Sequence, residues 1–390
     1  MLNPCRILAV ALALVSVSAS ASTGFHIARK SPRDGAQYAI STGWYSPARA
    51  AVVLNPRHLH RNGALEAGTA NAIEWTSRYW SLAQTMFGAG FPMSGVNERG
   101  LIIQSTVLRD RPYPSAPARA RVLQRSQWSQ YHLDTSESLA EVISKSVTGE
   151  HPVIPSGTIN AQFQVCDAKD CAVIAYYDDK VVAHGSMGRI EVDLVSGAQK
   201  VDKANRWPWA TISNHSLDDA IAAVQRCKAT PCADLDDSLA RFVRVTSAVR
   251  SYGSKPVAQT RLFADLATVD QGFPKTTWNE VYSVTQRGDR VSVRLSFKTP
   301  GAPIENLQWL EVNEAAFEVD CGQPLRMWWI DLARAGGDRT REHVAHTREA
   351  QETLALQHAK ESGGVFPRAI LEPMVTAPET KTACRSLPAD

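Results

Sequence analysis

The residues of this chain that could do chemistry gather first around one junction, Ala19-Ser20-Ala21-Ser22-Thr23-Gly24-Phe25. Upstream stand Arg6 and then an apolar run from Ile7 to Val15. That is the charged and apolar order of a secretory signal, too short to stay in a bilayer as an anchor. Ala19 and Ala21 supply the small-x-small pattern of a cleavage site, so residues 1–21 read as a signal peptide and Ser22 as the first residue of the mature chain. A free α-amine titrates at about 7.7–8.0. On Ser22 it would take the proton of its own residue's hydroxyl, directly or through a water, and turn a weak nucleophile into a competent one.

Two further candidates lie far downstream. Asn214, just before the helix signal Ser216-Leu217-Asp218-Asp219, carries an amide that can donate to a developing oxyanion. Arg241, inside a segment with an apolar stripe of Leu239, Phe242, Val245 and Val249, is a fixed positive charge. Asn97 and Glu98 sit in the turn Asn97-Glu98-Arg99-Gly100 and read as structural. His343 and His346 have no third partner with ligand spacing, and no metal or cofactor is called for.

The elements that must position these groups begin with composition. The 390 residues carry a net charge of +3. No basic stripe interleaved with aromatics appears, which argues against nucleic acid as a partner. Past the signal no run approaches the roughly 18 apolar residues of a membrane span. Export and the even number of cysteines left after Cys5 point to disulfides: Cys166–Cys171, Cys227–Cys232 and Cys321–Cys384. The first third of the chain alternates as short strands punctuated by turns such as Ser31-Pro32-Arg33-Asp34-Gly35. Residues 136–146 read as a helix capped by Thr135 or Ser136, with Leu139, Val142 and Ile143 inward. Residues 161–165 and 172–177 form a hairpin, 217–224 and 239–249 are helices, and 279–285, 290–297 and 307–312 are strands. Residues 340–361 are helical in propensity and lead into a Pro-rich tail. Strands, helices, strands and helix in that order argue for an α+β fold of sheets packed on each other with helices outside.

Taken in order, these segments resemble the choloylglycine hydrolase family of N-terminal-nucleophile (Ntn) hydrolases, which includes bile salt hydrolases and penicillin V acylases. Ser22-Thr23-Gly24-Phe25 stands where that family has its mature Cys-Thr and first strand. Val53-Leu54-Asn55-Pro56-Arg57, Trp75-Thr76-Ser77-Arg78-Tyr79 and Gly95-Val96-Asn97-Glu98-Arg99-Gly100-Leu101 look like its next three motifs. The hairpin from Asp167 to Lys180 follows its pattern. Ala210-Thr211-Ile212-Ser213-Asn214 ends like the segment that holds the family's oxyanion Asn. Ser238-Leu239-Ala240-Arg241-Phe242-Val243-Arg244 resembles the segment with its active-site Arg. The likeness covers residues 22–315; no motif is specific alone, and the weight lies in their order.

The resemblance implies a four-layer αββα sandwich over residues 22–335, followed by a C-terminal helix and tail over 336–390. It implies hydrolysis of a linear, non-peptide amide bond of a small N-acyl substrate, with Ser22 as nucleophile and Asn214 and Arg241 beside it. Such an enzyme would be periplasmic or secreted, off the membrane once its signal is removed, and open to assembly as a homo-oligomer. Two departures stand out. Ser replaces the family's Cys, and its strand motif G-R-x-M-D-W meets Ala39-Ile40-Ser41-Thr42-Gly43-Trp44, so Ile40 and Gly43 fall where the Arg and Asp belong. An impaired relative that only binds small molecules, or an acyl transferase on the same site, would share these features.

Overall fold

Residues whose side chains alternate between two buried environments build two large antiparallel sheets, described here from a computed structural model. The described residues run from 22 to 312 with short gaps, the longer being 28–35, 44–50, 64–72 and 86–91. Beyond 312 only the strands Arg326–Trp329 and Ala383–Cys384 are described. The signal segment, residues 340–361 and the tail apart from Ala383–Cys384 therefore lie outside the described residues.

The smaller sheet has six strands in the spatial order Thr211–Ile212, Thr23–Ile27, Ala36–Thr42, Trp278–Arg287, Arg290–Lys298 and Gln308–Val312. The strand that starts at Thr23 is thus interior to a sheet, paired on one side at Gly24↔Ile212 and on the other at Gly24↔Ile40. The larger sheet has ten strands, among them the run Cys171–Tyr177, Ala161–Cys166, Ile102–Val107, Pro92–Asn97 and Ser81–Thr85. Inner faces of the two sheets meet in one apolar cluster, with Ile40, Tyr282, Val293 and Leu295 from the first and Leu54, Leu82, Val96 and Ile102 from the second. The helices Asp237–Ser251 and Gln259–Ala267 cover the other face of the small sheet through Val245, Leu262 and Phe263 against Phe25, Ala39 and Val281. The helices Arg125–Thr135 and Leu139–Ile143 pack on the large sheet through Trp128, Leu133 and Val142 against Ile103, Phe163 and Val165.

Most expected elements are found, with differences among the helices and with further strands such as Ser81–Thr85 and Gly188–Asp193 beside them. The helix after residue 135 starts at Leu139 and is capped by Ser138, whose Oγ accepts from Glu141 N, not by Thr135 or Ser136. Ser136 is otherwise engaged, within 3.1 Å of His132 Nδ1 and accepting from Lys145 Nζ. The helix Arg125–Thr135 has no apolar stripe to announce it; several of its polar residues are buried and partnered, as where Gln130 donates to Asp134 at 2.7 Å. The helix Gln259–Ala267 also went unread. The hairpin over 161–177 is as expected, and Cys166–Cys171 is bridged across it. Cys227 is disulfide-bonded as well. Cys232 and Cys321 lie outside the described residues, as does the side chain of Cys384. Among the described residues no helix is long and apolar enough to cross a membrane.

One close approach sets how the first strand meets the large sheet. A Cβ on Gly24 would lie 1.8 Å from Gln104 Oε1, and that oxygen is held in place by the Tyr38 hydroxyl at 3.0 Å. Glycine is needed here for space, since it lets the strand come down onto the facing side chain. Gly24→Ala should cost about 1–3 kcal/mol of stability through overpacking. Denaturant unfolding of the double variant Gly24→Ala/Gln104→Ala should then show a loss smaller than the sum of the two single losses.

Candidate active site

Ser22 lies at the mouth of the first strand, fully buried, one position beyond its last pairing with the Ala36–Thr42 strand. Among the described residues its Oγ has no hydrogen-bond partner. Side chains alternate along a strand, so Ser22, Gly24 and His26 share the face turned toward the large sheet and Thr23 points to the helices.

The helix side of Ser22 is organised by Arg241, the largest charged side chain among the fully buried ones. Its Nη1 donates to the Ser22 carbonyl at 3.2 Å and, in a shorter bond, to Thr23 Oγ1. Its Nη2 donates to Asn214 Oδ1 at 3.1 Å, and its Nε to Asp237 Oδ2 at 3.1 Å one helical turn back. Asp237 also accepts from Gln271 Nε2. A guanidinium with no water around it must place its donors on protein acceptors. Here those acceptors belong to the first strand, to the segment after Ile212 and to Arg241's own helix. The three residues read from the sequence as a site, Ser22, Asn214 and Arg241, are therefore in one bonded cluster.

Asn214 is held on every side. Its backbone N–H donates to Ser238 Oγ at 2.9 Å, its Nδ2 to the Val107 carbonyl at 3.0 Å, and its Oδ1 faces Arg241. One of its two amide hydrogens is thus committed to Val107, which leaves the other for a reacting group. Thr106 and Gln162 fix the adjoining backbone by donating to the Ser213 carbonyl at 3.1 Å and 2.6 Å. Asn97 is structural: its Nδ2 donates to the Leu133 and Ser136 carbonyls, and its Oδ1 accepts from the backbone of Arg99 and Leu101. Glu98 pairs with Arg57 at 2.6 Å. Ile40 is buried in the core between the sheets, opposite Gly24, and Gly43 follows the strand end, so neither position supplies a charge.

Several polar residues beside the site went unread in the sequence. On the large sheet Gln164, Gln104, Ser94 and Gln84 face one another in register across four neighbouring strands. They form a polar row in the otherwise apolar space between the sheets. Tyr38 spans the gap, its hydroxyl 3.0 Å from Gln104 Oε1 and 2.7 Å from Gln164 Oε1. Glu280, opposite Ile40, receives the Ser94 hydroxyl at 2.5 Å, and its second oxygen has no hydrogen-bond partner among the described residues. Burial pushes its carboxyl up to about 8, with the Ser94 hydrogen bond opposing too weakly to restore the usual range. Glu280 thus holds a proton at neutral pH. Burial also drives the hydroxyls of Tyr38 and Tyr282 well above their ordinary range, with Glu280 adding to the shift. The signal that could have found this row is a polar residue recurring at one inward position on successive strands, which shows only once the strands are paired.

The backbone of this arrangement is similar to solved hydrolases. Penicillin V acylase from Agrobacterium tumefaciens superposes with a TM-score of 0.56 at 19% identity, over 82% of this chain and 93% of the other. Conjugated bile acid hydrolase from Clostridium perfringens, solved as two variants, gives TM-scores of 0.54 and 0.53 at 12% identity, over 79% of this chain and 96% of the other. At these identities the likeness is one of fold: a mixed helix and strand architecture with large antiparallel sheets, shared with an acylase and a hydrolase. No protein-family model matches the chain, and no curated protein matches it by sequence.

Glu280 makes stability depend on pH in a definite direction. In the unfolded chain its carboxyl ionises near the ordinary value of 4.5, and in the folded protein at about 8. Between those values unfolding releases a proton, so this residue's contribution falls as pH rises from 4.5 to 8 and is constant outside that window. Glu280→Gln removes the ionisation while keeping an oxygen for Ser94. Thermal unfolding should show the variant level with wild type near pH 4.5 and increasingly more stable up to pH 8.

Proposed function

We propose that this protein is an Ntn-type hydrolase that cleaves the linear carbon–nitrogen amide bond of a small N-acyl compound, with Ser22 as its nucleophile once residues 1–21 are removed. The reading takes residues 22–335 as an αββα domain followed by a C-terminal helix and tail, and places the mature protein in the periplasm or outside the cell. The observation that carries it is the bonding of Arg241 to Ser22, Thr23 and Asn214 at once. Supporting it are the buried charge of Arg241 directed at Ser22 and a fold shared with an acylase and a bile acid hydrolase.

In this reading the free α-amine of Ser22 accepts the hydroxyl proton while Oγ attacks the acyl carbon. Negative charge gathers on the carbonyl oxygen, where the uncommitted hydrogen of Asn214 Nδ2 donates. One oxyanion donor of this kind contributes roughly 2.7–4 kcal/mol to the barrier reduction. The carbon–nitrogen bond breaks as the proton passes to the leaving amine, and water then hydrolyses the ester on Ser22 with the α-amine again as base. Arg241 holds the Ser22 carbonyl and Asn214 in mutual register. Since Ile40 and Gly43 supply no charged partner for the amine, orientation falls to backbone groups and turnover is slow. That same lack favours the second reading, a relative that binds small molecules without cleaving them.

Intact-mass analysis of the exported protein should find Ser22 as residue one. Amine release from a panel of N-acyl amides should vanish in Ser22→Ala and persist or rise in Ser22→Cys, whose thiolate depends less on a base. A retained residue ahead of Ser22 should silence the enzyme by blocking the amine. Unchanged hydrolysis in Ser22→Ala would refute the nucleophile. Ligand binding with no cleavage by wild type or Ser22→Cys would establish the binding protein instead.

A further inference from the structure

Two residues past Gly24, the first strand carries a side chain that the Ser22 chemistry does not use. His26 lies beside the bridged hairpin of the large sheet, with its Nδ1 3.0 Å from Cys171 Sγ and its Nε2 without a partner among the described residues. Cys166 and Cys171 face each other directly in register across the turn Asp167–Asp170, their Cα atoms 4.1 Å apart. The donor atoms of His26, Cys166 and Cys171 all lie within 4.8 Å of one another, and all three residues are buried. Among the described residues no other trio of such side chains gathers in this way.

The fold sets these positions without regard to the bridge. His26 is tied down by its own backbone N–H, which donates to the Ala210 carbonyl at 3.0 Å, and its ring leans on Tyr38 at 5.9 Å. The two cysteines are fixed by strand pairing that continues along the hairpin to Gln162↔Ala175. Opening the bridge therefore leaves two sulfurs and one imidazole nitrogen facing a common point. The turn residues Ala168 and Lys169 are exposed, while the two bridged cysteines themselves are buried.

We propose that this hairpin end, once its bridge is opened by a dithiol, is a copper(I) site formed by Cys166 Sγ, Cys171 Sγ and His26 Nδ1. The dithiol is oxidised to its own disulfide while the protein bridge takes up two electrons and two protons as two thiols. Copper(I) then displaces those two protons to solvent. Two thiolates and an imidazole form a soft set, which suits copper(I). Structural zinc takes four ligands, and among the described residues this cluster offers no fourth. The carboxylate beside it, Asp167, is committed to the backbone: its Oδ1 accepts from Lys169 and Asp170 and its Oδ2 from Leu139. Because His26 shares a strand with Ser22, a metal here would tie that strand to the large sheet.

The test counts copper. The full chain is reduced with dithiothreitol, freed of it without oxygen, and titrated with copper(I) against a bathocuproine chelator. It should hold one more copper per chain than Cys166→Ser/Cys171→Ser treated alike, while the unreduced protein should hold none at this site. His26→Gln should release that copper at least tenfold more readily, a loss of the size expected when a metal's ligand environment is broken. To keep the result independent of whether that variant folds, a chain in which Cys5, Cys227, Cys232, Cys321 and Cys384 are all Ser is loaded and its X-ray absorption recorded. Two sulfurs and one nitrogen on copper support the site. Coordination by sulfur alone, or equal copper in the reduced chain and the double variant, overturns it.

Discussion

The site depends on a guanidinium that has no water. Arg241 sits beneath the small sheet with its charge wholly buried, so each donor needs an acceptor from the protein and each acceptor must stay where it is. Its bonds reach Ser22 and Thr23 at the start of the first strand, Asn214 past the edge strand, and Asp237 on its own helix. Asp237 is half exposed, so the ion pair is solvated at one end and the charge is not stranded. Three segments from the beginning, middle and later part of the chain are thereby fixed to one another. Loss of one acceptor would leave a buried donor unsatisfied, which costs more than the bond itself contributes.

On the opposite side of the same strand the constraint is one of space and polarity. Gly24 lets the strand settle on Gln104, and Tyr38 locks Gln104 and Gln164 to the small sheet. The polar row that results sits among Ile40, Leu82 and Val96, where a hydrophobic core would have been simpler to build. Glu280 holds its proton because burial outweighs the hydrogen bonding from Ser94 and Trp278 that opposes it. Groups of this kind destabilise a fold more than they support it. Their concentration one residue pair below Ser22 makes the space between the sheets part of the site's surroundings.

Local pattern was legible where it was strong. The alternation at Val291, Val293, Leu295 and Phe297 marks a strand that the fold contains, and the stripe of Phe242 and Val245 marks a helix face that is buried. The Cys166/Cys171 spacing around a turn marked a disulfide that is present. Legibility failed where local pattern and burial part company. The helix Arg125–Thr135 is polar in sequence yet buried, because Asp134 collects hydrogen bonds from Trp75 and Gln130 and an ion pair from Arg61. The cap at Ser138 was misplaced by two or three residues because Ser136, an equally good capping type, is drawn to His132 and Lys145.

By itself the sequence determined the chemical candidates: a Ser behind a small-x-small junction, an Asn before a capped helix, and an Arg within an apolar stripe. Those are properties of residue type and near neighbours, which a linear chain carries. Only the tertiary structure decided that Ser22, Asn214 and Arg241 meet, that His26 reaches a disulfide in the other sheet, and that Glu280 keeps its proton. Each of these turns on distance and on exclusion of water between residues far apart in sequence. Such quantities arise when two sheets close on each other, and no stretch of chain contains them before that closure.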